Sequence, residues 1–367
     1  MPIFKKISKF TIPKQRIRSS WGTASPEEAE GFQDRLDNLV GSLGLLGLQV
    51  SLKTTDGNIW NGASGTVDLP RKIPLTTEHV MRIASTTKMF TSVVILHLVE
   101  TGALSDTDTL ARWLPSFPRA DKITIRMLLS HTGGIENPPF TTRVKLRFLF
   151  SKRCFTLDEL IATAADTPPY DEPGNAYRYS NTNHHLLGFI AQKVTGTPIA
   201  DLYDAVIFRK LGLTRTALLP DRAPPPSLIT GFDNLYTPSL RMLRVTPDNL
   251  MLASHGNTAG GMVSTAKELL TFITGLFSGR LLGNDTVRRM MEMRACNDPD
   301  YCFTGNGTGL FRIQIGTVEY VGHPGFFVGF QALALYNPLK KTAVAAVGNL
   351  SDSRIFDVVQ RFEDIIG

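Results

Sequence analysis

Cysteine is scarce: three residues in a chain of 367, too few for a disulfide framework, and none stands at metal-ligand spacing with histidine. Cys296 and Cys302, separated by Asn-Asp-Pro-Asp-Tyr, could close a small loop, but two thiols in a reducing compartment are the expectation, with Cys154 left over in either case. No apolar run reaches the ~18 residues a membrane span needs, and the start lacks the apolar core of a secretory signal, so a cytoplasmic location is expected. No Gly-x-Ser-x-Gly elbow follows a strand pattern, which sets aside one large class of hydrolases. Gly305, Gly307 and Gly309 precede no helix pattern and so make no phosphate cradle. His184 and His185 are adjacent and diverge on a helix, reading as surface or packing residues, so neither a metal nor a cofactor is expected.

An excess of positive charge is present but local. The formal net charge is +6, yet six of the 39 basic residues (Lys5, Lys6, Lys9, Lys14, Arg16 and Arg18) fall in residues 1–18 without an acid, leaving 33 basic against 33 acidic. A neutral body with no basic stripe excludes a broad nucleic-acid surface. In the tail, Ile3, Phe4, Ile7 and Phe10 alternate with lysines at helical spacing, which could give weak contact with an anionic membrane or serve as a targeting segment; a basic flexible tail over residues 1–22 is the plainer reading.

What remains is an ordinary globular composition, 42% hydrophobic and 20% charged, with no low-complexity linker. Pro26–Leu43 reads as an amphipathic helix capped by Ser25, followed by strands over residues 46–54 and 58–66 joined by a Thr-Asp-Gly turn. Lys88–Glu100 is apolar on nearly every side and predicts a buried helix whose first turn carries Ser85. Residues 104–249 read as mostly helical with prolyl loops at Pro138-Pro139, Pro168-Pro169 and Pro224-Pro225-Pro226. A helix over Ala266–Phe277 precedes four alternating runs, 309–315, 318–323, 328–336 and 342–348, that predict an antiparallel meander, and a helix over Arg354–Ile366 would cover it. The expected class is therefore α+β, an antiparallel sheet flanked by helices with an inserted, mostly helical lobe. The expected division is residues 23–95 with 255–367 as the α/β lobe and 96–254 as the helical lobe.

Ser85-Thr86-Thr87-Lys88 places a hydroxyl at a helix start with an amine one turn on, where i and i+3 share a face. Roughly one or two Ser-x-x-Lys matches arise by chance in such a chain, and a second does occur at Ser264-Thr265-Ala266-Lys267. Ser264 opens a helix of mixed polarity and reads as its N-cap. Lys88 instead enters the most apolar helix, where a lysine without a role would be costly. Tyr179-Ser180-Asn181, just before a helix expected over His185–Val194, supplies a phenol that a nearby cation could activate and an amide that could bind a carbonyl. Gly322-His323-Pro324-Gly325 ends one predicted strand as the next begins, so that a substrate could lie along the edge at Gly325 with the Phe326 N–H aimed at its acyl oxygen. His131-Thr132-Gly133 also fits His-x-Gly but reads as a helix ending in a glycine turn.

The set Ser85-x-x-Lys88, Tyr179-x-Asn181, His323-x-Gly325, in that order, resembles the class C β-lactamase and D,D-peptidase family with its esterases and D-aminopeptidases. Ile125–Gly134 and Gly260-Gly261-Met262-Val263-Ser264-Thr265 resemble that family's flanking helix and glycine loop, and the likeness spans about residues 30 to 350. The resemblance implies Ser85 as nucleophile, Lys88 and Tyr179 as proton carriers, Asn181 as holder of the acyl group, and the N–H groups of Ser85 and Phe326 as the oxyanion hole. It also implies a small-molecule or peptide acyl substrate. Class C β-lactamases carry lysine where this chain has His323, a weaker and pH-dependent partner for an antibiotic's carboxylate. The expectation is an esterase or D-amino-acid-type peptidase rather than an efficient β-lactamase. The alternatives are an acyltransferase or peptide cyclase working through the same acyl-enzyme, and a non-catalytic binding protein of the same fold.

Overall fold

A computed structural model describes residues 22–68, 71–138, 153–219, 222–233, 243–296 and 303–367. The expected basic tail, apart from residue 22, lies outside the described residues, as does Cys302 and with it any pairing to Cys296. Among the described residues no helix is long and apolar enough to cross a membrane.

Helix Pro26–Leu43 begins as its sequence dictates. Ser25 and Glu28 exchange a capping box, proline occupies the first turn, and Gly44 closes the helix at φ 64°. Ala29, Phe32, Leu36, Leu39 and Val40 form its buried face, and Phe32 packs edge-on against Trp60 at 5.7 Å. The chain then enters a nine-stranded antiparallel sheet ordered Ile73–Pro74, Ile59–Asp68, Gly47–Lys53, Thr342–Gly348, Phe330–Asn337, Val318–Phe327, Phe311–Ile315, Phe303–Asn306, Arg294–Ala295. The first strands of the chain thus pair directly with the last, Leu48 opposite Gly348, which joins the two ends of the sequence in one sheet.

Alternation along the central strands sorts their side chains onto two faces. Leu333, Leu335, Val344 and Ala346 pack with helices Pro26–Leu43 and Ile355–Arg361. Phe330, Ala332, Ala334, Ala343, Ala345 and Val347 face helix Ala266–Phe277 and the helical part of the chain. Because both faces are covered, Thr342–Gly348 is buried at every position, and its Ala343–Val347 stretch is uniformly apolar rather than alternating as the sequence reading expected. Helix Thr87–Glu100 is buried nearly all round, between helices Asn181–Thr195 and Leu250–Gly260, with Phe90 stacked on Phe272 at 3.8 Å. The α+β class expected from the sequence is the class found.

Several boundaries differ from the sequence reading. Ser85 sits in a separate 3-10 turn, Ala84–Thr86, ahead of the α-helix rather than in its first turn. Helix Asn181–Thr195 begins four residues early, so Asn181 is its first residue. The run 318–323 continues unbroken to Phe327, which places His323-Pro324-Gly325 inside a strand instead of at its end. The closing helix breaks at Phe362 into Ile355–Arg361 and Glu363–Ile366. Strands of two or three residues (Met81–Arg82, Ala217–Leu218, Met262–Ser264, and the pair Gly231–Asp233 with Leu243–Val245) are too short to show a period. Ser264 is the end of one of them, its hydroxyl buried 2.8 Å from that of Thr216. The helix cap is Thr265, which accepts from the Glu268 N–H, and this corrects the expectation that Ser264 caps it.

Candidate active site

The Ala84–Thr86 turn is held from two sides. The Ile83 N–H donates to the Met262 carbonyl at 3.0 Å, the Met262 N–H donates to the Thr87 hydroxyl at 3.2 Å, and the Thr86 hydroxyl donates to the His323 carbonyl at 3.4 Å. Ala84 adopts φ +50°, a left-handed conformation costing an alanine ~1–2 kcal/mol. That local strain persists because the surrounding bonds over-determine the turn, and it sets the partly exposed Ser85 against the buried start of the helix.

Lys88 is fully buried, and its Nζ has three oxygen neighbours: the Ser85 hydroxyl at 3.1 Å, Asn181 Oδ1 at 2.7 Å and the Ala259 carbonyl at 2.7 Å. An ammonium would donate to all three. A neutral amine would donate to Asn181 and Ala259 and turn its lone pair to the Ser85 O–H, the arrangement of a base. Burial pushes Lys88 well below the ordinary lysine range, with no carboxylate offsetting it among the described residues. The face of Tyr179, 4.8 Å from Nζ, favours the charged form by only ~1–2 kcal/mol, less than the several kcal/mol that burying an ammonium costs. Desolvation therefore outweighs the ring, and the fold shifts Lys88 toward the neutral amine.

Tyr179 and Asn181 are presented together by Asn137, a residue the sequence reading did not single out. Its Nδ2 donates to the Tyr179 carbonyl at 3.0 Å, and its Oδ1 accepts from the Asn181 N–H at 2.7 Å. This staples the tyrosine to the start of the helix that carries Asn181. The Ala259 carbonyl was equally invisible in the sequence, since a backbone acceptor has no residue signature.

His323 lies in the same site, its ring 4.8 Å from Phe311 and 6.2 Å from Tyr179, but not as the expected pH-dependent cation. Its Nδ1 lies 2.5 Å from the Pro324 carbonyl and so carries the proton, leaving Nε2 an acceptor without a hydrogen-bond partner among the described residues. Burial, with Lys88 adding to it, pushes the imidazole down to about 3. The side chain is neutral across the physiological range, and the expectation is corrected accordingly. Gly325 has a plain steric reason: a Cβ there would come 2.3 Å from the Ile83 carbonyl and 3.1 Å from the Ala84 Cβ. Gly325→Ala should displace the strand from the nucleophile turn, lowering kcat/KM by ~100-fold, since an error of 1 Å in positioning costs about that much. Steady-state kinetics at unchanged circular dichroism checks this, and wild-type activity would contradict it.

Burial of histidines also sets the acid response. His185 and His323 are pushed down to about 3 and His255 to about 4, chiefly by desolvation. Their unfolded values sit near ~6.5, so the unfolded chain binds the extra protons between those limits. The stability they contribute is complete above pH ~6.5 and is lost as pH falls, at ~1.4 kcal/mol per pH unit for each group. Urea midpoints should therefore fall steeply from pH 6.5 to 5, above the range where carboxylates dominate; a flat profile there would contradict the burial of these rings.

Comparison with known proteins places the chain in a family. The family model described as Beta-lactamase matches residues 32–363. The esterase EstB of Burkholderia gladioli is 31% identical over 167 residues, 42% of each chain. Penicillin-binding protein 4* of Bacillus subtilis is 32% identical over 168 residues, 46% of this chain and 37% of its own; the chain thus aligns with less than half the length of these curated relatives. Among solved structures, the D-amino acid amidase of Ochrobactrum anthropi SV3 complexed with L-phenylalanine superposes with a TM-score of 0.83 at 25% identity, covering 91% of this chain and 98% of that one. With the family model matched over nearly the whole described chain and the amidase fold reproduced from end to end, the protein belongs to the beta-lactamase family.

Proposed function

We propose that the protein is a serine hydrolase that cleaves an ester or amide of a small-molecule or peptide acyl substrate through an acyl-enzyme on Ser85. The observation that carries this reading is the buried amine of Lys88, 3.1 Å from the Ser85 hydroxyl and lowered in basicity by desolvation. Ser85 Oγ attacks the substrate carbonyl carbon while its proton passes to neutral Lys88. The oxyanion is received by the N–H groups of Ser85 and Phe326, each worth ~3–4 kcal/mol by the measure of other acyl-transfer sites. Tyr179 relays that proton to the leaving amine or alcohol as the carbonyl re-forms and the bond to the leaving group breaks; water then attacks the acyl-enzyme carbonyl, one of its own protons passes to Ser85 Oγ as the acyl–Oγ bond breaks, and the acid is released. Asn181 Oδ1 is committed to Lys88, so its amide nitrogen is the donor left for the acyl group.

Neutral, buried His323 supports ester or amide substrates over β-lactams, because no positive charge at that position faces a substrate carboxylate. The likeness to an esterase and a D-amino acid amidase supports the same choice. A panel of p-nitrophenyl esters, D- and L-amino acid amides, D-alanyl peptides and nitrocefin tests it. The best ester or amide should exceed nitrocefin in kcat/KM by ~100-fold, the loss expected when a buried site offers a charged group no partner; nitrocefin as the best substrate would contradict it.

A further inference from the structure

His131 is the residue of the site that neither nucleophile, base nor substrate contact explains. It follows helix Ile125–Leu129 and the Ser130 that ends it, is buried, and adopts φ +53°, a conformation uncommon for any residue but glycine and least strained for asparagine, aspartate and histidine. From that position one residue holds four parts of the segment 178–183. Its carbonyl accepts from the Arg178 N–H at 2.9 Å. Its ring stacks on Tyr179 at 4.7 Å, with 30° between the planes. Its Nδ1 accepts from the Ser180 N–H at 3.3 Å and faces Asn183 Nδ2 at 3.1 Å.

We infer that His131 is a positioning residue for the proposed reaction, clamping residues 178–183 so that Tyr179 and Asn181 face Lys88 in one fixed arrangement. The inference rests on the acyl-enzyme reading above. The backbone N–H of Ser180 can only donate, so Nδ1 must be an unprotonated acceptor and the ring proton belongs on Nε2. Protonating Nδ1 would set two donors against each other, and burial beside Lys88 opposes it. The Ser180 N–H is one of the unpaired donors at the start of helix Asn181–Thr195, whose N-cap makes no side-chain bond of its own. The ring nitrogen thus replaces a cap, and the ring face fixes the phenol; the two functions can be separated by substitution.

His131→Asn keeps an acceptor near the Nδ1 position and tolerates positive φ but removes the stacked ring. His131→Phe keeps a ring and removes the acceptor. Both are compared with wild type after covalent titration of Ser85 by a fluorophosphonate, read by mass spectrometry, so that kcat is counted per labelled site and a misfolded fraction drops out. We expect kcat per site to fall ~10-fold for Asn and ~100-fold for Phe, with KM changed by less than ~3-fold, as positioning errors of about 1 Å would produce. If both variants keep kcat per labelled site within twofold of wild type, the clamp is wrong even where their melting temperatures fall. An unlabelled wild type would instead overturn the acyl-enzyme reading, and the clamp with it.

Discussion

Lys88→Met is expected to lower kcat/KM by ~1,000-fold or more while leaving a folded protein, because the substitution removes the base and keeps the stem that packs the helix. The amine lies 3.1 Å from the Ser85 hydroxyl, and its other two bonds fix the direction of its lone pair. Methionine would leave Asn181 Oδ1 and the Ala259 carbonyl without this donor, at ~1–3 kcal/mol each, offset by no longer burying an amine. A drop in activity much larger than the drop in stability is therefore the signature. The wild-type pH profile carries the same information with a definite sign. Lys88 has its basicity lowered in the fold, so the active neutral amine appears as pH rises, and kcat/KM should climb to a plateau well below the ordinary lysine range near 10.5. A profile still rising at pH 10 would show the amine to be an ordinary, charged lysine.

The second large effect separates the two Ser-x-x-Lys sequences. Ser85→Ala should abolish turnover to within the residual catalysis of an empty site, a loss of ~10⁴-fold or more. Ser264→Ala should leave kcat unchanged and reduce stability by ~1 kcal/mol, the worth of the hydrogen bond to Thr216. Burial decides between them: Ser264 is wholly inaccessible and Lys267 is exposed, so a substrate cannot reach the first nor a desolvated amine form at the second. Loss of turnover in Ser264→Ala with retention in Ser85→Ala would reverse the assignment.

How much of this was legible before folding depends on whether a feature has a local signature. Helix Pro26–Leu43 carried its own cap, period and stop, and the helix after Ser85 betrayed its burial by having no polar face. Alternation marked the first and last strands as strands, but their pairing, Leu48 opposite Gly348, exists only in the fold. Ser264 was misread by a single position, because serine and threonine in sequence offer equivalent caps and only the backbone chooses Thr265. His323 was misread for a different reason: reference basicity assumes solvent, whereas strand pairing sets Gly322 opposite Phe311 and brings that ring over the histidine. Asn137, His131 and the Ala259 carbonyl act from segments 44, 48 and 171 residues away from their partners, and no spacing rule reaches across such distances. His131 in particular lies just past a helix end, where the sequence reading put a turn; its contacts with residues 178–183 exist only in the fold.

The most direct measurement is intact and peptide mass spectrometry of the native chain after brief exposure to a fluorophosphonate, alongside Ser85→Ala, Lys88→Met and a denatured control. The expected result is one adduct per native chain, located on Ser85, slowed in Lys88→Met and absent from Ser85→Ala and from the denatured protein. Labelling of the native chain no greater than that of the denatured one, or an adduct that persists in Ser85→Ala, would contradict an acyl-enzyme on Ser85.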